Sequence, residues 1–414
     1  MQEELRMSAQ ELSKVSVIQS VNARNLTQVA AAKILGLSER QIHRLKKTYQ
    51  RYGAPGLLSK KRGKPSNRLY PSELRAKAIS LIREHFYDYG PTLAAEALEE
   101  HYNINISKET ARQWMIGAKI WRPFTKPEPK LHPSRERRAC FGELLQVDGS
   151  DHAWFEERGD KCTLLVFIDD ATSYITELQF VKSETTLDYF SALKNQLERY
   201  GAPVSIYSDM HGVFKVNHPE AKSGNGLTQF GRALKTLNVK IIYAQSAQAK
   251  GRVERANRTL QDRLLKALRF HKISDIDAGN IFLENFRKKF NTQFAKHAKS
   301  KVSLHRLLSD DEIKALDKLL SIQTQRVISK SMQIRHNSNI FNIIAPGQVR
   351  RLSRAKVTVC ENISGKITIY HNNQSLPYEV YKQGLHVDQT LNRKDVNKYL
   401  DKINNLEKTL WEPA

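Results

Sequence analysis

Cysteine is almost missing from the 414-residue chain: Cys140, Cys162 and Cys360 are odd in number and too far apart for a C-x-x-C pair. This excludes a disulfide framework and a zinc knuckle, and it suits a reducing compartment. No window approaches ~18 apolar residues, so no membrane-spanning helix is expected. The opening MQEELRMSAQELSK lacks a basic segment followed by an apolar run, which excludes a secretory signal, and no amphipathic transit peptide is indicated. A soluble, cytoplasmic protein follows. Acid is also scarce, with 43 Asp and Glu against 67 Lys and Arg, a formal net charge of +24. Because 40% of the residues are hydrophobic, that excess charge belongs to folded surfaces. Such surfaces attract polyanions, and nucleic acid is the first candidate. The length suffices for roughly two to four domains.

What is present begins with RNLTQVAAAKILGLSERQIHRLKKTYQRY (24–52), which divides at Gly36 into two short segments with apolar residues at helical spacing. A helix-turn-helix is expected within 1–60. Val29, Ala30, Ile34, Leu37, Ile42 and Leu45 are its shared core, and SERQ is a capping box in which Ser38 caps and Gln41 reaches back. The second helix then presents Arg40, Gln41, His43, Arg44 and Lys47 outward, side chains that can reach base edges and phosphates. An ordinary helical hairpin with a solvated basic face would show the same pattern. SKKRGKPSNR (59–68) has linker composition. Residues 70–121 repeat the scheme less basically, with Ser107 as a helix cap, and fit a second helix-turn-helix-like unit or a purely structural one. RPFTKPEPKLHPSRERR (122–138) holds four prolines and marks a linker.

From 139 the texture becomes β-rich. GELLQVDGSDHAWF, KCTLLVFIDDAT and SYITELQFV read as three linked strands. An amphipathic helix, the strand APVSIYSDMHGVF, a helix, the strand VKIIYA and a long helix follow, which gives a mixed sheet flanked by helices. Asp148 lies within the first strand, Asp209 at the carboxyl end of the fourth, and Glu254 on the helix after the fifth. In open α/β sheets sites gather at the carboxyl ends of strands, so these acids can converge. Clustered carboxylates repel unless cations neutralise them. Two divalent ions about 3.5 to 4 Å apart would stabilise the attacking and leaving oxygens of a phosphodiester displacement, and Mg²⁺ suits an oxygen-only site. Each acid alone has a plainer reading: an i,i+4 ion pair of Glu254 with Arg258, and turn roles for Asp209 and Asp148. Asp169 and Asp170 read as turn or structural residues.

Together LLQVDGSDHAWF, LLVFIDDATSYI, IYSDMHGVF and AQAKGRVERANRTLQDRL resemble the retroviral-integrase-like DDE transposases of bacterial insertion sequences, especially the ISNCY-type group. The resemblance spans about 140–290, with a helix-turn-helix upstream in the expected place. It implies an RNase H-like catalytic core over 139–295 with Asp148, Asp209 and Glu254 as the metal-binding triad. It also implies Mg²⁺-dependent cleavage at the element's ends, with Mn²⁺ able to substitute, then attack of the freed 3′-hydroxyl on target DNA. Lys250, Arg252, Arg255 and Arg258 become candidates to hold DNA strands around Glu254. Double-stranded DNA and a second copy of the chain are the expected partners, in a bacterial, nucleoid-associated setting. The chain departs from familiar patterns in SDMHG for the usual SDNG, in a longer interval from Asp209 to Glu254 with an inserted loop at 217–226, and in Ala247 where proline is common. Downstream, 328–383 reads as a small C-terminal β-barrel and 384–414 as a charged tail. The fold class expected is thus multidomain α/β. A DNA-binding regulator descended from a transposase and an RNase H-like structure-specific nuclease are the alternative functions.

Overall fold

The computed structural model describes residues 7–59, 69–124, 136–216, 226–244, 251–345 and 349–382. The chain divides into two compact units, Met1–Pro127 and Glu128–Ala414.

In the first unit α1 (Ala9–Asn22), α2 (Gln28–Leu35) and α3 (Glu39–Tyr52) pack around Val15, Ile18, Val21, Ala31, Ala32 and Ile42. Gly36 ends α2 in the left-handed conformation at φ +62°, which costs a residue without Cβ little. Ser38 and Gln41 then close the capping box that starts α3, a cap of about 1 kcal/mol. The core differs from the sequence expectation. Val29 and Ile34 are 49% and 60% exposed, because α1, with its own Ser8–Glu11 capping box, packs instead on the Ala31 and Ala32 face. Further along, α4 (Ser72–His85), α5 (Pro91–Tyr102) and α6 (Lys108–Gly117) bury Ile82, Phe86, Leu98 and Met115. Ser107 caps α6 by accepting from the Thr110 amide.

The second unit holds a five-stranded sheet of β1 (Leu145–His152), β2 (Cys162–Asp169), β3 (Ile175–Val181), β4 (Ser205–Ser208) and β5 (Lys240–Tyr243), in the order β3-β2-β1-β4-β5. β1 to β3 are antiparallel neighbours, whereas β4 runs parallel to both β1 and β5. Alternate β1 residues face opposite sides of the sheet. Leu145 and Val147 enter a core with Tyr189 and Phe190 of α7 (Thr186–Tyr200) and Phe230 of α8 (Gln229–Thr236). The other face takes α9 (Gly251–Phe270) and α10 (Ile276–Phe294), whose Leu260, Leu264 and Phe290 pack on Leu164, Val166 and Ile168.

Packing continues past residue 295. The strap after α10 hydrogen-bonds to the sheet's approaches, Ser300 N to Ala139 O, Leu304 N to Phe141 O and Arg306 N to Ala202 O. α11 (Asp310–Leu319) then contributes Leu316 to the α7 face core, with Leu320 just beyond it. β6 (Ile322–Val327) joins β9 (Lys356–Glu361), β10 (Ile367–His371) and β11 (Gln374–Leu376) in one sheet. β7 (Gln333–His336), β8 (Asn339–Ile343) and β12 (Tyr378–Lys382) form another, over a shared core of Ile334, Phe341, Val357, Val359 and Ile369. Among the described residues these are two open ladders, with β6 and β11 as the edges of one and β7 and β12 of the other. No described helix is long and apolar enough to cross a membrane.

Candidate active site

Three polar contacts dock α9 along β1. Val253 N donates to Gln146 Oε1 at 3.2 Å, Asn257 Nδ2 to Asp148 Oδ2 at 2.9 Å, and Gln261 Nε2 to Ser150 Oγ at 3.3 Å. The spacing follows from backbone geometry: four helical residues rise about 6.0 Å and two strand residues about 6.6 Å, so every fourth position of one meets every second of the other. Gln146 and Ser150 are buried, and Asp148, between them, is half-buried.

Parallel pairing brings the second acid alongside. Leu145 lies opposite Ile206 and Gln146 opposite Tyr207. Asp148 and Asp209 each lie two residues beyond the last of these pairs. Asp209 directly follows β4 and accepts the His211 amide through Oδ1 at 3.0 Å, so its turn role is realised. The buried Tyr189 reports on the same region. Burial first, then Glu184, then Asp148 and Asp209 push its phenol far above the ordinary value. It therefore stays protonated and donates to Glu184 Oε2 at 2.9 Å.

Glu254 occupies the flank of α9 opposite Arg252. The neighbouring Arg252 points the other way, since its Nη1 meets Asp170 Oδ1 at 2.6 Å just beyond β2, and residues 252 and 254 are about 200° apart around a helix. Glu254 is exposed. Among the described residues it forms no ion pair with Arg258, so the plainer i,i+4 account of this acid is not realised. The structure thus sets Asp148 in β1, Asp209 just past the end of the neighbouring β4, and Glu254 on the exposed side of α9. It does not draw the acids together, for among the described residues no three His, Cys, Asp or Glu side chains stand close enough to hold a metal ion.

The basic candidates separate in the same way. Arg252 is 8% exposed and paired with the buried Asp170. It is therefore an internal counter-ion and not a DNA contact, a correction that follows from its position on the docked side of α9. Arg255 and Arg258 are exposed, while Lys250, Ala247 and most of the 217–226 loop lie outside the described residues. Asp169 accepts from the Gly142 and Thr172 amides, and Asp170 from the Arg138 amide and Gln146 Nε2. Both have structural roles. In the helix-turn-helix Arg40, Gln41, Arg44 and Lys47 are all exposed on α3, although Gln41 Oε1 is engaged in the cap.

Sequence reasoning passed over three residues. Asn257 follows Glu254 by one helical turn, which was the available signal. Glu184 and Tyr189 flank the start of α7, and their hint was Gly149 directly after Asp148. A Cβ built on Gly149 would lie 2.3 Å from Glu184 Oε1, so glycine there marks a close approach.

A helix-turn-helix domain model matches residues 13–66. The provisionally named transposase y4bF of Sinorhizobium fredii is 42% identical over 377 residues, covering 91% of this chain and 82% of that protein. The transposase for insertion sequence IS1202 of Streptococcus pneumoniae is 28% identical over 434 residues, covering 94% of this chain and 91% of that protein. Among solved structures, the HTLV-2 integrase catalytic core domain in complex with magnesium aligns at 20% identity and a TM-score of 0.28, over 38% of this chain and 89% of that one, a score at which the likeness decides nothing.

Proposed function

The chain belongs to the insertion-sequence transposase family, and from that premise we propose that it binds the ends of a mobile DNA element, cleaves there, and joins the 3′-hydroxyl ends to target DNA. The observation that supports the reading is the parallel pairing of β1 with β4 at Leu145–Ile206 and Gln146–Tyr207, two residues before Asp148 on one strand and Asp209 on the other. The donor chemistry fits Mg²⁺, with Mn²⁺ able to replace it. All candidate donors are oxygens, and Asn257 Oδ1, beside Asp148, is buried without a hydrogen-bond partner among the described residues. Asp148, Asp209 and Glu254 would hold two ions, which when bound stabilise the attacking and leaving oxygens of the displacement.

The protein's own groups have the remaining work. Asn257 fixes the Asp148 carboxylate, and the His211 amide fixes that of Asp209. Arg255 and Arg258, exposed on α9, offer cations to DNA phosphates, and Lys250 is a further candidate in the sequence before the helix. In this proposal α3 enters the major groove and reads the element's end through Arg40, Gln41, Arg44 and Lys47. Residues 70–121 assist binding, 139–295 carry an RNase H-like catalytic core, and 328–383 act as a small accessory β domain. Strand transfer at two ends requires two such sites, so the working assembly is a dimer or larger on DNA.

The decisive experiment compares Asp148→Asn, Asp209→Asn and Glu254→Gln on DNA carrying the element's ends. Each variant is expected to lose Mg²⁺-dependent cleavage while retaining end binding. Full strand transfer by any of them would overturn the assignment of the three acids.

A further inference from the structure

We propose that a recess between α9 and the end of α10, above the carboxyl end of β2, binds a terminal phosphate group, the phosphomonoester of a free nucleotide or of the 5′ end of a DNA strand. The recess has a volume of about 250 Å³ and is lined by Arg137, Arg252, Arg255 and Lys296, with Phe290 and Phe294 among its apolar walls. No acid among the described residues lines it. Asp170 neutralises Arg252 from below, whereas Arg137, Arg255 and Lys296 enter no ion pair among the described residues. The main chain sets these three in place. Arg137 Nη1 donates to Ala171 O at 3.1 Å, Arg255 Nε to Gly251 O at 2.8 Å, and the Lys296 amide to Thr172 O at 2.8 Å. Arg263 adds positive charge beside them, its guanidinium 4.8 Å from the centre of the Phe294 ring.

A solvated basic surface accounts for Arg255 and Lys296, which are exposed, but not for the half-buried Arg137 gathered with them around one concavity. Like charges held together beside apolar walls repel, and an anion between them reverses the sign of that energy. Guanidinium forks match phosphate oxygens two at a time. Three cations without counter-ions suit a phosphomonoester, which carries about −1.5 to −2 at pH 7, better than the single charge of a phosphate within a strand. The phosphate held here is not the one being cleaved, because Arg252 and Glu254 lie on opposite sides of a helix that measures about 10–12 Å across with its side chains. Hydrolysis that frees a 3′-hydroxyl leaves the phosphate on the 5′ carbon across the break, so cleavage itself generates a group of this class. Assigning the recess to that strand end rests on the transposase reading above, whereas the recess as a phosphate site does not.

The test uses the full chain in chelator, where no cleavage occurs, and has two arms. One compares the affinity for element-end DNA bearing a 5′-phosphate or a 5′-hydroxyl at the cleavage position. The other titrates deoxyadenosine 5′-monophosphate and inorganic phosphate by calorimetry. The 5′-phosphate is expected to tighten DNA binding about 10-fold or more, and the gain should vanish when Arg255→Ala and Lys296→Ala are combined, with an unchanged thermal melt. If the pair lowers the melt, Arg255→Gln and Lys296→Gln singly should each lose part of the gain. Binding of the mononucleotide or of inorganic phosphate that the double substitution abolishes, with no gain from the DNA end, assigns the same recess to a free phosphate compound. A gain that survives the double substitution, or no phosphate-dependent binding in either arm, would overturn the inference. Asp148→Asn should keep the gain while losing Mg²⁺-dependent cleavage; cleavage that persists in that variant sinks the assignment of the acids and leaves the recess standing.

Discussion

Asn257 donates through Nδ2 to Asp148 Oδ2 at 2.9 Å, so a helix one turn past Glu254 grips the acid at the middle of β1. Replacing the amide by a carboxylate sets two anions against each other at that distance. Asn257→Asp should therefore melt at a lower temperature than wild type in chelator. It should recover with millimolar Mg²⁺, because a cation that binds only the folded state stabilises it by mass action. Thermal melts with and without Mg²⁺ measure this, and a deficit that Mg²⁺ leaves untouched counts against a cation at Asp148.

Arg252 and Arg255 should part company on substitution. Arg252→Ala leaves the buried Asp170 carboxylate without its guanidinium and is expected to cost about 3–5 kcal/mol of stability. Arg255→Ala should change stability by less than about 0.5 kcal/mol but make the salt dependence of DNA binding shallower by about one unit of slope. Urea unfolding and a salt titration separate the two effects.

In the helix-turn-helix, Arg40→Ala or Arg44→Ala should weaken binding to element ends more than it slows cleavage by a pre-assembled complex. A side chain on a phosphate lowers the salt slope and affects every sequence alike, whereas one on a base edge costs about 1–3 kcal/mol only with the cognate end. Binding isotherms on cognate and scrambled ends, at several salt concentrations, distinguish the two roles.

His305 should make stability pH-dependent. Burial pushes its imidazole down to about 4, and the neutral ring accepts from Gln196 Nε2 while packing on Phe141. The unfolded chain takes up this proton near pH 6.5 and the folded one does not. Stability is therefore full above that pH and is lost as pH falls from about 6.5 to about 4, by at most about 3 kcal/mol. Urea midpoints at pH 7 and 4.5 should differ less in His305→Phe than in wild type.

Much of the architecture was legible in the sequence because its signals are local. Apolar periodicity marked the strands and helices from 139 to 270, and Ser38 with Gln41 announced the start of α3. Asp169 and Asp170 could be set aside from their place at the turn after β2. What escaped depends on the phase of packing. Arg252, Arg255 and Arg258 look alike in a basic run, and only docking through Val253 and Asn257 determines which guanidinium turns inward. The exposure of Val29 and Ile34 follows from α1, whose weakly periodic sequence gave no sign that it would pack on Ala31 and Ala32. The strap at 300–306 pairs through backbone groups, which no side-chain pattern announces. Glu184 needed both Gly149 and Tyr189 in three dimensions.

The three contacts between α9 and β1 behave as a vernier. Helix and strand advance at slightly different pitches, about 0.6 Å per step, and only one mark can coincide best. The bonds measure 3.2, 2.9 and 3.3 Å from Val253 to Gln261, and the coincidence falls on Asp148. A scale of this kind cannot be lengthened without drifting out of alignment, and inserting a single residue in α9 would slide every mark at once. The tolerance of this transposase to insertions should therefore be least between Val253 and Gln261, where the two scales are read against each other.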